Sequence, residues 1–215
     1  MNVLELFSGT GSVGKVCDKL GWNAISVDLE LPATHECDIM DFDYKQYPKD
    51  YFSIVWASPP CTNYSKLQDG WLGRMRKGEI YTKEIQEREM DNDDRLVLKA
   101  LEIIEYFKPE LWCMENPSTS RMKERPFMKD LPDYVVDYCM YSNWGYRKRT
   151  RIWTNKKDWN NLMCDGKGTC GNMVGRLHKT NLGNTERKQK TMGNGTSQQD
   201  RYRVPEDLIL SLFLL

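Results

Sequence analysis

Apolar and polar positions change period in short blocks along this chain. Asn2 to Phe7 is an apolar run that breaks into Ser8-Gly9-Thr10-Gly11-Ser12, the pattern of a strand entering a tight turn. Val13 to Leu20 takes helical spacing, with Val13, Val16, Cys17 and Leu20 on one face and Gly21 as its stop. Asn23 to Val27 reads as a second strand closing on Asp28, and Phe52 to Ala57 as a third, halted by Ser58-Pro59-Pro60. The broadest helical stripe runs from Asp94 to Phe107, through Leu96, Leu98, Leu101, Ile103 and Ile104. Leu111 to Met114, Tyr134 to Tyr141 and Arg151 to Thr154 read as further strands. Pro205 is expected to open a last apolar helix as its first-turn residue. Lys66 to Asp93 is highly charged and is expected to be a long mobile loop with some helix, while Asn155 to Asn194 is polar and basic with no period.

Strands alternating with helices predict an α/β fold: a mostly parallel, doubly wound sheet covered on both faces. Ligands of such sheets bind outside the carboxyl ends of the strands. Four strands here end on residues with chemistry: the glycine turn, Asp28, Pro60-Cys61 and Glu115-Asn116. At 215 residues, with no repeat and no dividing linker, the chain is expected to form one domain (1–215) carrying a small basic insertion at about 155–194.

Composition adds a compartment and a partner. No apolar run approaches the roughly 20 residues of a membrane-spanning helix, and Met1-Asn2-Val3-Leu4 has no basic leader. A cytoplasmic or nuclear location is the expectation. Cysteines 17, 37, 61, 113, 139, 164 and 170 are odd in number and scattered, as reduced thiols rather than a disulfide framework. The formal net charge is zero, yet it is unevenly spread. Tyr141 to Arg203 holds 14 basic and 4 acidic residues, a balance of +10, whereas Asp28 to Asp50 holds 2 and 7, a balance of −5. The basic part is the one expected to meet phosphates.

Gly9 and Gly11 allow backbone to approach a ligand closely, and Asp28 is placed to accept hydrogen bonds from ribose hydroxyls. These two features fit a dinucleotide as well as other adenosine cofactors. More specific are Leu-Phe-Ser-Gly-Thr-Gly-Ser (6–12), Ser-Pro-Pro-Cys-Thr (58–62) and Glu-Asn-Pro (115–117), in that order. They resemble the first, fourth and sixth motifs of the DNA (cytosine-5) methyltransferase family. Gly145 to Trp153 resembles its eighth motif, and Arg201 to Pro205 with the following helix its tenth. The resemblance spans the chain apart from 66–93 and 155–194, and it implies a Rossmann-like class I methyltransferase fold using S-adenosylmethionine.

The resemblance also implies roles. Cys61 is the nucleophile that adds to C6 of cytosine, which makes C5 reactive. Glu115 holds the N3 and amino edge of the base, and Arg149 and Arg151 hold the ring carbonyl and a neighbouring phosphate. The base must leave the helical stack to be reached. The cofactor is expected against Phe7, Ser8, Gly9, Thr10, Gly11, Ser12 and Val13, with Asp28 and Leu29, Asp38 and Ile39, and Ser58 and Pro60 around it. Asp41 and Asp43 compete with Asp38 for the adenine amino group. The loop after Cys61, with Gln68, Trp71 and Arg74 and with Gly70 and Gly73 as hinges, is expected to close over the extruded base.

The chain departs from the family in three places. Pro117 stands where valine is usual, and Arg147 where glutamine is more common. Only about 40 residues (Asn155–Asn194) replace a large DNA-reading region. That segment can grip phosphates through Lys156, Lys157, Arg176, Lys179, Arg187, Lys188 and Lys190, which implies short or relaxed sequence specificity. No catalytic metal is expected. Cys164, Cys170 and His178 offer zinc ligands, but Cys-x5-Cys-x7-His is irregular and shows no fourth ligand. Double-stranded DNA is the expected partner, with a monomeric chain favoured. Transfer RNA cytosine-5 methylation and a catalytically silent DNA-binding module remain alternatives. Methylation of an exocyclic amine is disfavoured, since Ser58 precedes and Cys61 follows the Pro-Pro. The compactness resembles small enzymes of phages and other viruses.

Overall fold

A seven-stranded sheet organises the computed structural model, which describes residues 1–180, 182 and 196–214. Its strands are β1 (Asn2–Leu6), β2 (Asn23–Asp28), β3 (His35–Glu36), β4 (Ile54–Ala57), β5 (Leu111–Pro117), β6 (Asp133–Asp137) and β7 (Arg149–Thr154). They lie in the order β3-β2-β1-β4-β5-β7-β6. The first five run parallel, with Leu4 opposite Ile25 on one side and Val55 on the other. The strand β7 is antiparallel to both β5 and β6, pairing Glu115 with Ile152 and Asp137 with Arg149.

Alternating side chains on these strands feed two separate cores, as the period of two requires. Leu4, Leu6, Val55, Ala57, Met114 and Trp153 face the helix α2 (Lys83–Phe107), meeting its Val97, Ala100, Ile103 and Phe107. Val3, Ile54, Trp56, Cys113 and Ile152 face the opposite way. There they meet Val13, Val16 and Cys17 of α1 (Ser12–Leu20). A short helix α3 (Gln198–Tyr202) precedes α4 (Glu206–Phe213), whose Leu208, Ile209 and Leu212 complete the second core. The sheet is therefore mostly parallel and covered on both faces. Among the described residues, no helix is long and apolar enough to cross a membrane.

Several boundaries differ from the sequence pattern. The helix α2 begins at Lys83, capped by the Thr82 hydroxyl accepting from Ile85 N at 3.3 Å, so residues 83–93 are helix rather than loop. Its first turns carry no apolar stripe because their partners are polar. Gln86 donates to Asp69, Glu89 accepts from Arg76 and Tyr81, and Glu87, Asp91 and Asp94 surround Arg125. Within the apolar half, Leu98 is exposed. The strand expected over 134–141 stops at Asp137 and becomes a single 3-10 turn, Tyr138–Met140. Both β5 and β7 are longer than their apolar cores, because Glu115, Asn116, Arg149 and Thr150 join the ladder. Pro205 caps α4 from outside its first turn.

One buried acid joins strand to helix. Glu5 of β1 accepts from Val13 N (3.1 Å) and Gly14 N (2.9 Å), amides at the start of α1 that the N-cap Gly11 has no side chain to satisfy. Burial nevertheless pushes its carboxyl up from 4.5 to about 7, against the pull of those two amides. The folded chain thus holds this proton at a pH where the unfolded chain has released it. Stability from this group is lost as pH rises from about 4.5 to about 7, by about 3 kcal/mol. Urea unfolding across pH 5 to 8 is expected to show Glu5→Gln gaining on the wild type over that window. Parallel stability curves would contradict the assignment.

Candidate active site

The glycine turn lies beyond the carboxyl end of β1. Gly9 and Gly11 have φ of +53° and +66°, and space around the position of a Gly11 Cβ is open. Only glycine adopts such turns without strain. Phe7 also has positive φ, and Ser8 N bonds Val27 O at 3.1 Å, fixing the turn to β2. Asp28, at the end of β2, accepts from Gly9 N (2.7 Å), Glu30 N and Leu31 N. A carboxylate has about four acceptor positions, so one remains for an incoming hydroxyl. Ser12 Oγ accepts from Val204 N (3.0 Å), tying the turn to the residue just before α4.

A cavity of about 680 Å³ opens here, lined by Gly9 to Ser12, Trp144, Asp200, Arg203 and Val204, among others. This volume and mixed lining suit a nucleoside-sized ligand. The glycine turn with its open approach and one free acceptor on Asp28 fit the adenosine and methionyl parts of S-adenosylmethionine. The other residues expected at the cofactor are more scattered. Val13 and Ile39 are buried in the two cores, while Leu29 and Pro60 are exposed. Asp38 accepts from Met40 N, and Ser58 Oγ accepts from Trp56 Nε1.

Cys61 is half-buried just past β4. Asn116 of β5 donates from Nδ2 to the Pro59 carbonyl at 2.9 Å, a bond that holds the proline pair against the neighbouring strand. Beside it Glu115 is buried and accepts on Oε1 from Tyr138 Oη (3.1 Å) and Lys148 Nζ (3.2 Å). Lys148 also donates to Arg201 O and sits 4.8 Å from the Tyr138 ring centroid. Burial, then the charge of Glu115, pushes the Cys61 thiol above its ordinary value, and Lys148 opposes them. Cys61, Glu115 and Lys148 thus form one electrostatic unit.

The two arginines of the basic run take other partners. Arg149 makes a two-pronged pair with the fully buried Asp137, at 3.0 and 2.8 Å, and Arg151 pairs with Asp133. The cation on Glu115 is Lys148, which the sequence presents only as one of several neighbouring basic residues. Tyr138 was hidden differently, inside a stretch that reads as plain strand.

The loop after Cys61 is anchored along its length. Gln68 is buried and donates to Thr62 O (2.9 Å), and Arg121 holds Asp69. Trp71, Gly73 and Arg74 remain exposed at the tip, with φ of +76° at Gly73. In the basic segment, Lys157 and Arg176 are exposed, whereas Lys156 donates to Leu212 O and Lys179 to Gly171 O. Arg187, Lys188 and Lys190 lie outside the described residues. Cys164, Cys170 and His178 converge, joined by Cys139.

No family model matches the chain. It is 41% identical over 222 residues, covering 99% of this chain and 98% of the relative, to the Frog virus 3 (isolate Goorha) protein named "Probable DNA (cytosine-5)-methyltransferase". Among solved structures it is similar to a prophage-encoded E. coli protein described as a DNA modification methyltransferase. That likeness has a TM-score of 0.50 and 15% identity, and covers 73% of this chain and 47% of the other. The Entamoeba histolytica methyltransferase EhMeth follows at TM-score 0.48 and 16% identity, with 75% and 54% covered. The chain spans about half the length of these two solved structures. The likeness to the prophage-encoded protein concerns the fold alone, which is the Rossmann-like methyltransferase sheet. With the viral identity extending over essentially its whole length, the chain belongs to the DNA (cytosine-5)-methyltransferase family.

Proposed function

We propose that this chain transfers a methyl group from S-adenosylmethionine to C5 of cytosine in double-stranded DNA, acting as one catalytic domain with a basic insertion at about 155–194. The observation that carries the reading is the buried Glu115, held by Tyr138 and Lys148, in electrostatic contact with Cys61. A thiol and a buried carboxyl at the ends of neighbouring parallel strands suit attack on one face of a flat ring with recognition of its edge.

The division of labour follows from the partners. Cys61, its proton released to solvent, adds through sulfur to C6 as the C5–C6 π bond breaks and its electron pair moves toward C5 and N3. Glu115 meets the N3 and amino edge, and its bonds to Tyr138 and Lys148 fix the carboxyl's direction. Asn116 positions the Pro59-Pro60-Cys61 backbone. S-adenosylmethionine supplies the electrophilic methyl group when bound. Loss of the C5 proton then allows the bond to Cys61 to break. This chemistry calls for a flipped base, since the reacting atoms are stacked inside a duplex. Exposed Lys157 and Arg176 are suited to phosphates, and the exposed Trp71 tip to the space the base leaves.

Tritiated S-adenosylmethionine, duplex DNA and, in parallel, transfer RNA test the reading after digestion to nucleosides. Label is expected in 5-methyldeoxycytidine and is expected to fall to background in Cys61→Ser. Label in N6-methyladenine or N4-methylcytosine would overturn the role of Cys61, and label in transfer RNA alone would replace the substrate. Glu115→Gln gives a sharper check, because its charge raises the Cys61 thiol. The variant is expected to lose roughly 10²–10⁴-fold in methyl transfer. Its Cys61 peptide is nevertheless expected to alkylate faster than wild type at pH 7.5, because the larger thiolate fraction outweighs the weaker nucleophilicity of a less basic thiolate. Slower alkylation would break the proposed coupling.

A further inference from the structure

We propose that Cys139, Cys164, Cys170 and His178 bind a structural zinc ion that fastens the basic segment to the end of β6. Their donor atoms all lie within 4.8 Å of one another. His178 Nε2 is 3.7 Å from Cys164 Sγ and 3.6 Å from Cys170 Sγ. Tetrahedral zinc, with Zn–S of about 2.3 Å and Zn–N of about 2.0–2.1 Å, sets a sulfur–nitrogen edge of about 3.6 Å and a sulfur–sulfur edge of about 3.8 Å. The two sulfur–nitrogen separations therefore match a coordination polyhedron. Three thiols with one imidazole form a closed set for structural zinc, leaving no position for a substrate.

The missing fourth ligand lies outside the segment. Cys139 sits in the 3-10 turn after β6, 25 residues before Cys164, so no local spacing reveals it. The backbone around the four donors is already fixed. Asn172 donates to Cys139 O (2.8 Å), Ser142 O (2.7 Å) and Cys170 O (3.0 Å), and accepts from Gly145 N. Cys164 N donates to Asp137 Oδ2 at 2.9 Å, and the hairpin Met173–Val174/Leu177–His178 presents the imidazole.

Two further observations point the same way. Among the described residues from 155 to 182, Trp159 and Cys164 are the only buried apolar ones, while Met163, Val174, Leu177 and Leu182 are exposed. A segment with so little core needs a staple. A zinc ion with three thiolates and one neutral imidazole carries a net charge of −1. Arg149 lies within electrostatic reach of Cys139 and Cys164, and Arg147 within reach of His178.

Full-length protein expressed with added zinc, then desalted, is expected to hold about one equivalent of zinc per chain by elemental analysis. Replacement by Co(II) is expected to give intense visible bands and thiolate charge-transfer absorption of a tetrahedral site. Cys164→Ser and His178→Ala are expected to lose the metal, while Cys37→Ser, away from the cluster, keeps it. Chelation of the wild type is expected to lower Tm by roughly 5 °C or more. Should the variants be insoluble, the cobalt spectrum of the wild type decides. Zinc absent after supplementation, a full equivalent kept in both variants, an octahedral cobalt spectrum, or a disulfide among the three cysteines would each overturn the proposal.

Discussion

The pairing of Glu115 with Lys148 is the interaction around which the carboxyl ends of β4 and β5 are arranged. A buried carboxyl without a partner would neutralise or drive out its neighbours, since desolvating a lone charge costs several kcal/mol. Lys148 can reach it because β7 runs antiparallel beside β5, with Glu115 opposite Ile152. The lysine is itself held by Arg201 O, in α3. That contact connects the carboxyl-terminal helices to the buried Glu115, and the bond between Val204 and Ser12 connects the same segment to the glycine turn. One short stretch, 201–204, therefore braces both halves of the site.

Three consecutive residues at the end of β6 divide a second task. Asp137 takes Arg149 and the Cys164 amide, Tyr138 takes Glu115, and Cys139 enters the thiol–imidazole cluster. Because Asp137 ends the strand and the 3-10 turn follows at once, successive side chains leave in different directions instead of alternating across a sheet. A shift of this turn would move Glu115, Arg149 and the basic segment together. On the proposed reading, coupling between DNA contacts and the acid at Glu115 would need no long path, only a rigid turn.

The parts of this design legible in the sequence were those written in local pattern. Alternating blocks gave β1, α1, β2 and β4, and the motif order is what singles out Cys61, Glu115 and the glycine turn as candidates. Polar burial erased the signal elsewhere. The first turns of α2 pack against Arg125, Arg76 and Asp69 through acids and Gln86, so no apolar stripe marks them. Glu5 looks like an interruption in an apolar strand, yet it caps a helix whose own N-cap is glycine. Lys148 could not be separated from Arg147, Arg149 and Arg151, because facing direction depends on which strand lies alongside. Cys139 was invisible as a ligand for the same reason: its partners are supplied by topology rather than spacing.

The reduced basic segment poses a physical problem that the cluster answers. About 40 residues stand between β7 and α3, and the described part buries almost no apolar surface. Each ordered residue costs on the order of 1–2 kcal/mol in backbone entropy, so phosphate-binding side chains on such a loop would be poorly directed. Hydrogen bonds from Asn172 restrain four backbone groups, and a metal joining Cys139, Cys164, Cys170 and His178 would close the remaining freedom. A domain can then present Lys157 and Arg176 from a fixed surface without a second hydrophobic core. Rigidity from four ligands would substitute for bulk, and on the proposed reading this reconciles a short phosphate-binding segment with a site that has to hold a base in one orientation.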